Sequence, residues 1–126
     1  MKTILAVALG GAAGSVARYL LTGLVAQWAG TGFPWGTLLV NLLGSAAMGV
    51  LAEAAATAWR PSEEVRALLA VGVLGGFTTF STFSLDAAAL LQRGEAGTAL
   101  AYVAASVLLC VGGLLAGVAA TRMVLA

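Results

Sequence analysis

Residues 75–84 read GGFTTFSTFS: two adjacent glycines, five hydroxyl side chains and three phenylalanines inside a long apolar run. With VRALLAVGVL before it and LDAAALL after it, the segment exceeds the ~20 residues that span a bilayer as a helix. Each glycine of the pair weakens a helix by about 1 kcal/mol relative to Ala, and Phe-Thr-Thr is no better than middling in helix propensity. A membrane helix interrupted near Gly75 and Gly76 is therefore expected. The interruption exposes carbonyls at the end of one half and N–H groups at the start of the next. In lipid such groups must be buried in protein or line a cavity.

The rest of the chain carries three more runs of this kind. Of its 126 residues 61% are hydrophobic and 9% charged, too few charges to cover a soluble domain. A net charge of +1 supplies no basic face for nucleic acid. With no His and one cysteine, Cys110, neither a zinc site nor an intrachain disulfide is expected, and nothing in the chain reads as an enzyme. Four spans are drawn as one domain over residues 1–126: about Thr3 to Leu24, Pro34 to Ala58, Val65 to Leu91 and Thr98 to Val124. The first has a basic residue and an apolar core like a signal peptide but no A-x-A-like cleavage site, and is read as a retained span. Trp28, Trp35 and Trp59 fall at span ends, where an amphipathic ring suits the headgroup region.

The linkers are short. In AWRPSEEVR, Pro61 stops one helix, Ser62 can cap the next, and Glu63 and Glu64 put negative charge at its positive end. In LQRGEAG, Gly94 and Gly97 are punctuation. Four spans place both termini on one side with Lys2, Arg60, Arg66 and Arg122; the other side carries Arg93, plus Arg18 if it snorkels outward. The positive-inside rule orients such a chain poorly, and insertion both ways round is open. Glycines four apart (Gly10 and Gly14, Gly72 and Gly76, Gly113 and Gly117) are expected to let helices approach closely.

Two polar stripes cross this apolar background. Thr37, Asn41 and Ser45 in span two, and Thr98, Tyr102, Ser106 and Cys110 in span four, recur at steps of four and so share one helix face. An unpartnered amide such as Asn41 costs several kcal/mol in hydrocarbon; it either glues two helices together or faces a polar path. Tyr102 reads equally as an interfacial belt residue, and Ser106 and Cys110 as ordinary small-residue packing. Of the deeper charged residues Arg18, Glu53 and Asp86, none is near a span centre, and Glu53 is expected to be solvated among the headgroups. A ribbon of neutral donors can replace part of an anion's hydration without trapping it.

Four small helices hardly bury a broken one. Two copies inserted in opposite directions would, with their breaks crossing on a two-fold axis in the membrane plane and facing carbonyls forming an oxygen cage for a small hard cation. Beyond the break, Phe80 and Phe83 share a face. They either pack against neighbouring helices or turn their positive ring edges to a small anion.

GGFTTFSTFS with an acidic residue shortly after it, WGTLLVNLLGSAAMG in span two and GGAAGSVARYLL in span one resemble the Fluc (CrcB-type) fluoride channel family, over essentially the whole chain. The resemblance implies an all-α membrane protein: an antiparallel, dual-topology homodimer in the cell membrane, the bacterial inner membrane. It implies two pores that export cytoplasmic fluoride passively and a structural sodium ion at the dimer centre. By motif, Phe80 and Phe83 correspond to the phenylalanines whose edges line the path, Asn41 to the pore asparagine, Ser81 and Thr82 to the hydroxyls beside it, and Tyr102 and Ser106 to the start of the polar track. The backbone carbonyls of Gly75 and Thr78 correspond to the sodium ligands. Arg18 is expected at a vestibule or the dimer interface. Asp86 stands where the family often has Glu, and Cys110 where a hydroxyl is usual. Two rivals are a small multidrug transporter, which would need a buried carboxylate that span one lacks, and a non-conducting scaffold subunit, which leaves the aligned stripes unexplained.

Overall fold

The computed structural model describes residues 1–126 as an all-helical chain. Helix α1 spans Lys2–Ala29 and α2 spans Trp35–Thr57. The third span comes in two pieces, α3 over residues 63–77 and α4 over Phe80–Gln92, and α5 spans Ala96–Leu125. The four spans are long and apolar enough to cross a membrane. Their ends follow local chemistry. Helix α1 continues five residues past the expected Leu24 because nothing breaks it before Gly30, whose φ of 76° ends it. Ser62 Oγ accepts a hydrogen bond from the Val65 N–H at 3.3 Å, with Glu63 and Glu64 in the first turn. Gly94 turns the chain at φ 77°, whereas Gly97 is helical, inside the first turn of α5.

The helices pack as two close pairs, α1 with the first half of the third span and α2 with α5, and glycine makes each pair possible. Gly10 lies against Gly72, Gly14 against the Val73 carbonyl and Gly76 against the Gly11 carbonyl. In the second pair Gly49 faces the Leu114 carbonyl and Gly117 the Ala46 carbonyl. At each of these a methyl group would collide with backbone, so Gly10, Gly14, Gly72, Gly76 and Gly117 serve close approach, whereas Gly113 meets only the end of the Leu42 side chain closely. Of the Gly75–Gly76 pair only Gly76 belongs to this function; both residues are helical, and the interruption lies further on. Ala67–Leu74 of α3 winds as a π-helix, a form that concentrates at functional sites.

Gly117→Ala should therefore destabilise the detergent-solubilised protein by about 1–3 kcal/mol, the usual cost of overpacking. Gly112→Ala, one helical turn or so away and with nothing within 4 Å of the new methyl, should be neutral or slightly stabilising. Thermal unfolding of the two variants side by side checks this; equal stabilities would mean that α2 and α5 are not held at glycine distance.

Glu53 departs from the sequence expectation. It is 9% exposed, not solvated, and its Oε1 accepts from Arg122 Nε at 3.0 Å. The guanidinium at the end of α5 reaches back over α2, so the pair fastens these two helices where both approach the same membrane face. A buried carboxylate persists only with such a partner. Leu38, Phe83, Leu90, Ala99 and Tyr102 form the apolar core between α2, α4 and α5.

Candidate functional site

The site is built around the interruption of the third span. Thr78 (φ −90°, ψ 157°) and Thr79 (φ −153°, ψ 116°) are extended, so the break begins two residues beyond the glycine pair. Asn41 holds it. Its Oδ1 accepts from the Thr79 N–H at 2.7 Å and its Nδ2 donates to the Thr79 carbonyl at 3.1 Å, so one side chain satisfies both backbone groups of one extended residue. Thr79 in turn caps α4, its Oγ1 accepting from the Thr82 N–H at 3.1 Å. The Thr78 hydroxyl folds back to the Leu74 carbonyl at 2.9 Å.

These substitutions release particular carbonyls. In an unbroken helix the Thr79 N–H would bond the Gly75 carbonyl and the Thr82 N–H the Thr78 carbonyl. Both donors are diverted to side chains, leaving Gly75 and Thr78 without their helical partners. Between them, the Gly76 carbonyl accepts from Arg18 Nε at 3.0 Å. Arg18 thus points inward onto the carboxyl end of α3, where a cation is favoured by the helix dipole. The chemistry of the freed carbonyls fits a small hard cation: neutral backbone oxygens at Gly75 and Thr78, with no carboxylate.

Beside the break lies a cavity of about 260 Å³ lined by residues that include Asn41, Ser45, Phe80, Phe83, Ser106 and Cys110. Of the residues singled out in the sequence, Asn41, Phe80, Phe83 and Ser106 come together here; Ser81, Thr82 and Tyr102 do not line it. Ser81 instead shares a hydrogen bond with Thr79 Oγ1 at 3.2 Å. Tyr102 is fully buried, packs against Phe83 with ring centroids 5.2 Å apart and tilted by 45°, and donates its hydroxyl proton to Asp86 Oδ2 at 3.2 Å. Asp86 and Thr37 line a second cavity, about 210 Å³, beneath the α1–α2 turn. The Phe80 and Phe83 rings sit 5.3 Å apart at 47°. Phe83 is buried, and Phe80 is 78% exposed.

Ser106 carries the plainest chemical signal. Its residue is 7% exposed and its Oγ has no hydrogen-bond partner, although it lies at the edge of the cavity. Asn41 adds a further donor, because only one of its two amide N–H groups is taken by Thr79. The N-terminus of α4, whose first N–H groups have no partner within the helix, brings positive dipole to the same place. The space therefore offers several neutral donors, a helix N-terminus and two aromatic rings, and none of its lining residues carries a fixed charge. Thr79 was missed at the sequence level. The signal that could have found it is a Thr immediately before an apolar helical run, an N-cap pattern.

A four-span, multi-pass membrane protein with a donor-lined cavity at a broken helix is the class that this fold and site define. The model of the CrcB-like protein family (Camphor Resistance, CrcB) matches residues 5–118. A protein of Rhodospirillum centenum named "Fluoride-specific ion channel FluC" is 60% identical over 126 residues, the whole of both chains. Proteins of the same name from Geobacter sulfurreducens and Nitrobacter winogradskyi are 52% identical over 122 residues and 50% over 121. These cover 97% and 96% of this chain and 98% and 96% of their own. The chain belongs to the CrcB-like family.

Proposed function

We propose that this chain forms a fluoride-selective channel through which cytoplasmic fluoride leaves the cell passively, as two pores in an antiparallel homodimer of the bacterial inner membrane. The observation that carries the reading is the charge-free cavity beside the break that Asn41, Phe80, Phe83 and Ser106 line, with the Ser106 hydroxyl buried and unpartnered at its wall. Fluoride is small and tightly hydrated, so a path that passes it must return much of its hydration energy through close donors and ring edges. Neutral donors do so without creating a trap, which fast conduction requires. Chloride is larger, so it approaches each donor less closely and gains less from it. The names of the full-length relatives agree with this ion.

The dimer is supported by what one chain leaves uncovered. Gly75 before the break and Phe80 and Ser81 after it are exposed, beside freed carbonyls that lipid cannot satisfy. A second copy crossing there would cover them. Charge gives opposite insertion less support than the sequence suggested: with Arg18 turned inward, Lys2, Arg60, Arg66 and Arg122 oppose Arg93 alone. The case rests on the open break. The carbonyls of Gly75 and Thr78 would hold a sodium ion between the copies, and the ion would neutralise the facing carbonyl dipoles.

The test is ion efflux from liposomes holding the purified protein. Fluoride should leave rapidly on addition of an ionophore for the counter-cation, while chloride should not. Replacing sodium by N-methylglucamine from purification onward should weaken dimers resolved by gel filtration. A fluoride rate equal to that of empty liposomes, from well-folded protein, would sink the channel; dimers indifferent to sodium would remove the cation alone.

A further inference from the structure

Phe33 carries the α1–α2 turn into contact with the site. Its ring meets Tyr102 edge to face, with centroids 5.4 Å apart and planes at 87°, and Tyr102 in turn packs on Phe83, which lines the cavity. Asp86 holds the Tyr102 hydroxyl, but that bond lies on the ring's own axis. Rotation about the Cβ–Cζ line leaves the oxygen in place, and χ2 of an aromatic side chain is a broad torsion. The plane of Tyr102 is therefore set by the rings packed on it.

Phe33 is seated by its backbone. On its carboxyl side Pro34 (φ −79°, ψ 62°) makes an inverse γ-turn, the Trp35 N–H donating to the Phe33 carbonyl at 2.8 Å. On its amino side runs Gly30-Thr31-Gly32, where glycine leaves the chain free to move. That freedom is removed from outside the turn. Arg93 Nη2, at the end of α4, donates to the Gly32 carbonyl at 3.0 Å and to Glu95 Oε2 at 3.1 Å.

We propose that Arg93 is a positioning residue for the ion path: by fastening Gly32 it seats Phe33 on Tyr102, and Tyr102 so held fixes the plane of the Phe83 ring at the cavity. Arg93 itself does not line that cavity. The effect on flux rests on the fluoride reading, because the plane of Phe83 matters where a positive ring edge must face an anion. The fastening rests on the geometry alone. The other way for Arg93 to act is through its charge, by drawing anions to this face; salt screens that effect, but not a seated ring.

Fluoride efflux is measured from liposomes holding wild type, Arg93→Met, Phe33→Leu and the double variant. Each single variant should pass fluoride about fivefold more slowly than wild type, about 1 kcal/mol in barrier, and melt close to it. The double variant should lose no more than Phe33→Leu alone. The ratio of wild type to Arg93→Met should be equal at about 0.1 M and about 1 M potassium gluconate, which shortens the screening length from about 10 Å to about 3 Å. Losses that add in the double variant overturn the proposal, as do a ratio that collapses in high salt, flux that merely follows melting temperature, or unchanged efflux in Arg93→Met. The fastening is read separately, in protein carrying Trp28→Phe and Trp59→Phe. Trp35 then reports alone, its ring 4.5 Å from that of Phe33, and its fluorescence anisotropy should fall in Arg93→Met. That fall in a protein that passes no fluoride would uphold the fastening and overturn the channel; unchanged anisotropy overturns the fastening.

Discussion

Replacing Asn41 by Leu should lower fluoride efflux by about 10- to 150-fold and loosen the fold in the same stroke. The first figure follows from losing one hydrogen bond to an ion, about 1.5–3 kcal/mol, expressed as a rate. The second follows from the two bonds to Thr79, at 2.7 and 3.1 Å. Leucine leaves an N–H and a carbonyl at the break unsatisfied, at about 1–3 kcal/mol each. Against a total stability of about 5–15 kcal/mol, that is a large fraction, so loss of flux in Asn41→Leu alone would be ambiguous. Asn41→Asp separates the effects. A carboxylate keeps an acceptor for the Thr79 N–H but withdraws the donor and places negative charge beside the anion. Flux should then drop at least as far as in Asn41→Leu, with a smaller loss of thermal stability. Efflux in Asn41→Asp equal to wild type would return Asn41 to helix packing.

This double duty could not be seen from the chain alone. Hydropathy located all four spans, and local signals set their ends: Gly30, the Pro61–Ser62 pair and Gly94 act within a few residues of themselves. Propensity also pointed to an interruption in the third span but placed it at Gly75–Gly76. A glycine pair lowers the cost of breaking a helix; where the break settles depends on what receives the freed groups. The receiver is Asn41, 38 residues away, and Gly76 is occupied in lying against Gly11 and its neighbours. The polar stripes were visible as periodicity, yet one stripe serves two places. Thr37 belongs to the cavity of Asp86, while Asn41 and Ser45 belong to that of Ser106. Tyr102 likewise leaves its stripe-mates to bond Asp86. Glu53 is hidden from the sequence for the same reason: its partner, Arg122, lies 69 residues on, and depth in a span says nothing about pairing across helices.

Phe80→Ile should reduce fluoride efflux by roughly 30-fold while leaving assembly intact, and it is the sharper test of how the rings act. An ion meeting an aromatic quadrupole in a desolvated site gains about 2 kcal/mol, and the sign that favours a cation over the ring face favours an anion at the edge. That energy corresponds to about 30-fold in rate. Isoleucine keeps an apolar side chain of useful bulk but has no quadrupole, so greasiness alone should not rescue flux. Position matters here. Phe80 is largely uncovered within one chain, and its replacement disturbs little of the monomer core. Phe83 sits in that core against Tyr102 at 5.2 Å, so Phe83→Ile mixes a packing defect of about 1–3 kcal/mol with any loss at the path. If ring edges conduct the ion, the two variants lose comparable flux but differ in melting temperature, Phe83→Ile being the less stable. If the phenylalanines are packing residues only, flux should follow stability, and Phe80→Ile should conduct like wild type. Measuring efflux and thermal unfolding on the same two preparations decides between these patterns.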